Sequence, residues 1–164
     1  MSRIFFFRAL LVVFIYSLAA SQVLAQVKNP ALDNPKYGAD PATREECLKN
    51  TSFYSEYYKQ NNYKDAAQGW SIAYTICPQS SENLYIRGVR MLKAAIAETA
   101  EPAARKKLVD SLMSVYDKRI QYFKKEGYNL EQKGLDLHSL SPERAQEVYQ
   151  ILSRAMSLRK EETE

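Results

Sequence analysis

Tyr57-Tyr58-Lys59-Gln60-Asn61-Asn62-Tyr63-Lys64-Asp65-Ala66, followed by Trp70, Ala73 and Pro78, is the stretch on which the reading of this chain turns. Asn61-Asn62 is a polar turn between two helical patterns. Working back from it, a first helix spans about 44–60, and Thr43 with Glu46 has the spacing of a capping box that satisfies free backbone N–H groups. Working forward, a second helix spans about 63–76 and stops before Pro78.

The same pattern continues. Ser80 or Ser81 starts a third helix over about 82–98, where Leu84, Tyr85, Gly88, Val89, Leu92 and Ile96 recur at helical spacing. Pro102 suits the first turn of a fourth helix, which runs to about 125 with Leu108, Leu112, Val115, Tyr116, Ile120 and Phe123 in one stripe. Gly127 reads as its C-cap. A short fifth helix covers about 128–137, and Ser141-Pro142-Glu143 starts a sixth. Its apolar stripe is Ala145, Val148, Tyr149, Leu152, Ala155 and Met156. No stretch alternates as a strand does, so the class is all-α.

The opening stretch resembles a tetratricopeptide repeat (TPR). That family places an aromatic near the end of a first helix, then a polar turn, an aromatic, and small residues spaced along a second helix that ends at a proline. Tyr57, Tyr63, Ala66, Trp70, Ala73 and Pro78 fall on those places in order. The resemblance implies that Ala66 and Ala73 let two helices approach, that Tyr57 and Trp70 fill the space between hairpins, and that Pro78 sets the next turn. Tyr54 departs from the pattern, standing where a glycine or alanine is usual. Gly88 lies 34 residues further on, one period of the family. Gly134 with Leu137, then Ala145, Tyr149 and Leu152, renews the pattern after a lengthened hairpin. The expected architecture is a helical-hairpin solenoid of about three repeats over 43–160, with a charged tail at 161–164. Cys47-Leu48-Lys49-Asn50 and the run from Asn83 to Gly88 are similar to exported TPR proteins of the Bacteroidota cell envelope.

The N-terminus reads as an export signal. Arg3 and Arg8 precede or flank an apolar run to Ala20, and Val23-Leu24-Ala25 offers a cleavage site before Gln26. The run is short for a membrane span, which needs about 20 apolar residues. Residues 26–42, with four of the prolines and glycines (Pro30, Pro35, Gly38 and Pro41), read as a flexible linker. Removing Arg3 and Arg8 lowers the charge from +4 to 21 Lys+Arg against 19 Asp+Glu, or +2. Interspersed signs give no nucleic-acid footprint. Cys47 and Cys77 suit a disulfide in an oxidising compartment, with two buried thiols as the competing reading. The hairpin that the resemblance implies sets the start of its first helix beside the end of its second. A bond there would stabilise by roughly 3–4 kcal/mol on the loop-entropy model.

No chemistry is spelled out. His138 is the single histidine, and no phosphate loop, nucleophile elbow or HExxH run is present. The expectation is a non-catalytic protein without metal or cofactor. By the family's pattern, a concave face would hold Tyr58, Lys59, Tyr85, Leu92, Lys93 and Glu131, available to an unidentified protein partner. Simple helix packing competes with that role for each residue. The leading function is a scaffold or adaptor in the periplasm or envelope. The alternatives are a glycan or peptidoglycan binder using its tyrosines, or a permanent subunit of a secretion or assembly machine. The sixth helix has no evident cap, which reads as a docking or self-association surface or as the mark of a truncated chain.

Overall fold

The computed structural model describes residues 29–161. The expected leader at 1–25, the first linker residues and the tail beyond 161 lie outside the described residues. Within them the chain forms six α-helices and no strand: α1 (Pro41–Lys59), α2 (Tyr63–Ile76), α3 (Glu82–Glu98), α4 (Pro102–Phe123), α5 (Glu126–Leu140) and α6 (Ala145–Glu161). They pack in pairs, α1 with α2, α3 with α4 and α5 with α6. Each α-helix also touches the next in the chain.

The expected linker carries local structure of its own. Two 3-10 turns, Pro30–Asp33 and Pro35–Tyr37, precede α1. The second lies against α1, and Tyr37 packs on the first core cluster. The helix starts earlier than expected. Its N-cap is Asp40, not Thr43: the Asp40 carboxylate accepts from the Thr43 backbone N–H at 2.9 Å and from the Thr43 hydroxyl at 2.6 Å. An ionised acceptor followed by proline at the first helical position satisfies the free N–H groups there. These bonds also hold the Asp40 carboxyl below the usual carboxylate range.

α1 stops where Asn61 takes a left-handed conformation, φ 57°, which asparagine tolerates. Asn62 then caps α2 by accepting from Asp65 N–H. The two helices approach closely because α2 buries only small residues against α1, namely Ala66, Gly69 and Ala73. Gly69 is essential to that fit. A Cβ there would stand 2.8 Å from the Phe53 ring and 3.0 Å from the Asn50 carbonyl. Cys47 and Cys77 close the hairpin by a disulfide, with Cα atoms 6.0 Å apart.

Gly127 is not a C-cap. It lies buried inside α5, where a Cβ would meet Arg159 Cγ of α6 at 3.0 Å. α4 ends instead through Lys124 and Lys125, both at positive φ (64° and 52°). Asn129 makes that bend affordable in energy: it is fully buried, and its amide donates to the carbonyls of Lys124 and Lys125 at 2.9 and 3.0 Å. α5 is correspondingly longer than the short helix expected.

The core has two clusters. One gathers Cys47, Tyr54, Ala66, Ala73, Leu84, Tyr85 and Met91. The other gathers Ile96, Val109, Leu112, Tyr116, Leu137 and Val148. Val89 and Leu92 pack against both. α6 turns differently from expectation. Val148 and Ala155 are buried, whereas Ala145 is exposed and Tyr149 is 68% exposed, so these two do not pack the last hairpin.

Candidate interaction surfaces

The first helices of the three pairs are cross-linked by polar contacts. Arg87 of α3 donates to Ser55 of α1 at 2.8 Å, and its guanidinium lies over the Tyr58 ring at 5.1 Å. Lys93 of α3 is ion-paired with Asp136 of α5. Asp136 also accepts from the Tyr116 hydroxyl of α4 at 2.7 Å. Burial, and then the bond to this carboxylate, push the Tyr116 phenol well above its ordinary value. At the start of α3, Arg119 donates to Glu82 at 2.9 Å and holds that carboxyl below the usual range.

One side of α3 faces solvent through Ile86, 44% exposed, with Arg90 and Lys93 at helical spacing. On α5, Tyr128 and Leu135 are 47% and 51% exposed, seven residues apart and therefore on one side. Ile86 on α3 and Tyr128 with Leu135 on α5 are thus large apolar side chains open to solvent on first helices. Aromatic and aliphatic anchors with nearby arginine are what protein interfaces use.

The expected binding residues divide. Lys93 and Lys59 are exposed, and Tyr58 is half-buried beside Tyr63, with ring centroids 5.4 Å apart. Glu131 is ion-paired with Arg159 of α6. Tyr85 is not on an open face: it is fully buried, with its hydroxyl donating to the Pro78 carbonyl at 2.8 Å. Leu92 is partly buried: it packs against both core clusters and also lines a groove on α2 and α3. The correction is one of helical register. Leu84, Gly88 and Met91 mark the centre of the buried side, which leaves Ile86 and Arg90 opposite. Their omission from the expected face was avoidable, since the Gly88 stripe alone fixes which side is out.

A concavity lies between α2 and α3. A groove of about 480 Å³ is lined by Tyr63, Ala67, Trp70, Met91, Leu92 and Leu108, among others. Trp70 and Leu92 also line a neighbouring depression between α2 and α4. The Trp70 ring rests on Gly88, where a Cβ would stand 2.5 Å from the indole, and Nε1 donates to the Leu84 carbonyl at 2.7 Å. Pro78 accepts the Tyr85 bond in the turn between α2 and α3. Gly134 is matched to Leu152 of α6, whose Cδ2 lies 2.5 Å from the place of a Cβ.

Among the described residues no group of His, Cys, Asp and Glu is placed to hold a metal. No described helix is long and apolar enough to cross a membrane. No protein-family model matches the chain, and no curated protein or solved structure shows significant similarity to it.

Proposed function

We propose that this chain is an exported scaffold or adaptor of the tetratricopeptide-repeat type, whose work is to hold a partner protein against the open side of its first helices. The observation that carries this reading is the exposure of Ile86, Tyr128 and Leu135, each a large apolar side chain of a first helix and between 44% and 51% exposed. Isolated exposed apolar residues are ordinary. Three of them on two helices joined by the Lys93–Asp136 pair, with Arg90 one turn from Ile86, supply apolar anchors and cations to a partner. The disulfide supports an oxidising compartment and therefore export. The closeness of Trp70 to Gly88, and the small buried residues of α2, support the family reading. For the glycan-binding alternative, Tyr85 is core and offers no ring to a sugar, which leaves that role to Tyr58 and the exposed Tyr128 and Tyr149.

Cross-linking capture from envelope extract tests this, with wild type compared to an Ile86→Glu, Leu135→Glu double variant of unchanged helix content. One or a few partners retrieved by wild type and lost with the variant are expected. Partners that survive both substitutions, or none at all, would sink the proposal. A partner that copurifies at fixed stoichiometry would make the chain a permanent subunit of a larger assembly.

A further inference from the structure

Ala145, Tyr149, Leu152 and Met156 follow one another at intervals of four, three and four along α6, which places them in one stripe. Val148 and Ala155 are buried, but the stripe is not. Tyr149 is 68% and Met156 73% exposed, Ala145 is exposed and Leu152 half-buried.

The molecule itself shows how such a stripe is used. Aligning the buried Ala66 and Ala73 of α2 with Val148 and Ala155 of α6 sets Tyr63, Ala67, Trp70 and Tyr74 on the four stripe positions. On α2 the following hairpin covers two of them, while Ala67 stays exposed and Tyr63 packs beside Tyr58 of α1. Trp70 lies on Gly88 of α3, and Tyr74 reaches the Ser114 carbonyl of α4 at 3.4 Å. On α6, among the described residues, no following hairpin does so.

Two features choose the occupant. First, the stripe is free of charge. From Ala145 to Ser157 the only charged residues are Glu147 and Arg154, and these are paired with Arg144 and Glu126. Gln146, Gln150, Ser153 and Ser157 are exposed and neutral. A neutral apolar face complements a copy of itself, whereas a strongly charged partner finds no counter-charge there. Second, the spacing reads the same in both directions. Turning one helix antiparallel about the point between Gln150 and Ile151 sets Ala145 against Met156 and Tyr149 against Leu152. Each small or branched side chain then meets a longer one. A two-fold contact demands this reciprocity, residue i meeting j and j meeting i. A head-to-tail array would instead seat α1 on α6, and α1 already carries the Pro35–Tyr37 turn, with Tyr37 packed on the core.

We infer that α6 is a self-association face: two copies pack their α6 helices antiparallel about a two-fold axis through Ala145, Tyr149, Leu152 and Met156. This surface is separate from the first-helix side assigned to a partner, so either assignment stands or falls alone.

Sedimentation of the purified protein over a concentration series tests the inference, with wild type beside Tyr149→Glu and Met156→Glu. Both positions are open to solvent, so helix content stays as in wild type, and any fall in Tm is confined to concentrations at which wild type is dimeric. The expected result is a reversible dimer whose dissociation constant each glutamate raises by about tenfold or more. Geometry is read by oxidative cross-linking: Ala145→Cys mixed with Met156→Cys gives a linked dimer in higher yield than either variant alone. A protein monomeric throughout the series, or a dimer indifferent to both glutamates, overturns the inference. So does cross-linking of Met156→Cys to Phe53→Cys on α1 in preference to Ala145→Cys.

Discussion

The first hairpin and the last are built from the same plan and secured by different means. The α1–α2 pair is closed covalently by Cys47–Cys77, and its outer side is sealed by Trp70 lying on Gly88. The α5–α6 pair has no covalent link. Its flank is held by Arg154 with Glu126 and Arg159 with Glu131, mostly exposed ion pairs, while Arg144 just before α6 reaches Asp110 of α4. Exposed pairs contribute little each, typically under about 1 kcal/mol. The comparison sets a covalent clamp on the first hairpin against a last hairpin closed by packing and ion pairs alone. The exposed stripe of α6 belongs to the second.

The largest effect that would break this contrast is reduction of the disulfide. Replacing Cys47 and Cys77 together by serine is expected to cost about 2–5 kcal/mol, read as a lowered Tm. A Tm that hardly moves would show that the first hairpin needs no clamp.

Next come the two close-approach glycines. Gly88→Ala drives a methyl into the Trp70 indole, which its bond to Leu84 holds in place. A loss of about 1–3 kcal/mol is expected. Gly134→Ala meets Leu152, a flexible side chain at a half-exposed edge. There the gain in helix propensity offsets much of the clash, and the expected loss is under about 1 kcal/mol. Denaturant midpoints of the two variants check this order, and its reversal would refute the contrast.

The smallest effect is electrostatic. Glu82 has its carboxyl lowered chiefly by the bond from Arg119. The unfolded chain therefore binds this proton more readily than the fold does, and the contribution of the pair is whole above pH 4.5 and fades as the folded carboxyl protonates below it. With screening, it is worth under about 1 kcal/mol. Glu82→Gln should lower stability slightly at pH 7 and flatten the decline on acidification. An unchanged acid limb would remove Arg119–Glu82 from the forces joining α3 to α4.

Helix number and order were legible because they rest on local signals: Asn61-Asn62, Pro78, Ser81, Pro102 and Ser141-Pro142. The cysteine pair was legible only through the hairpin that the resemblance implies, which sets the chain's two cysteines side by side. Helix ends were less so. Gly127 carries the composition of a cap, but the close approach of Arg159 claimed it, a tertiary demand that no local pattern contains. The binding face was misassigned at Tyr85 because a tyrosine reads as amphipathic. Here its hydroxyl finds the Pro78 carbonyl, and the ring becomes core. On α6 the stripe was visible, but which half of it faced α5 depended on where Gly134 admitted Leu152.

Trp70 is the one tryptophan in the chain, and it sits at the seam between the first and second hairpins. Its emission is therefore a local gauge. Unfolding followed by fluorescence reports the parting of α2 from α3, while circular dichroism reports all the helices together. Coincident transitions would mean that the hairpins melt as one cooperative body. An ellipticity loss preceding the spectral shift would mean that the chain unzips from α6 inward, with the clamped end the last to go.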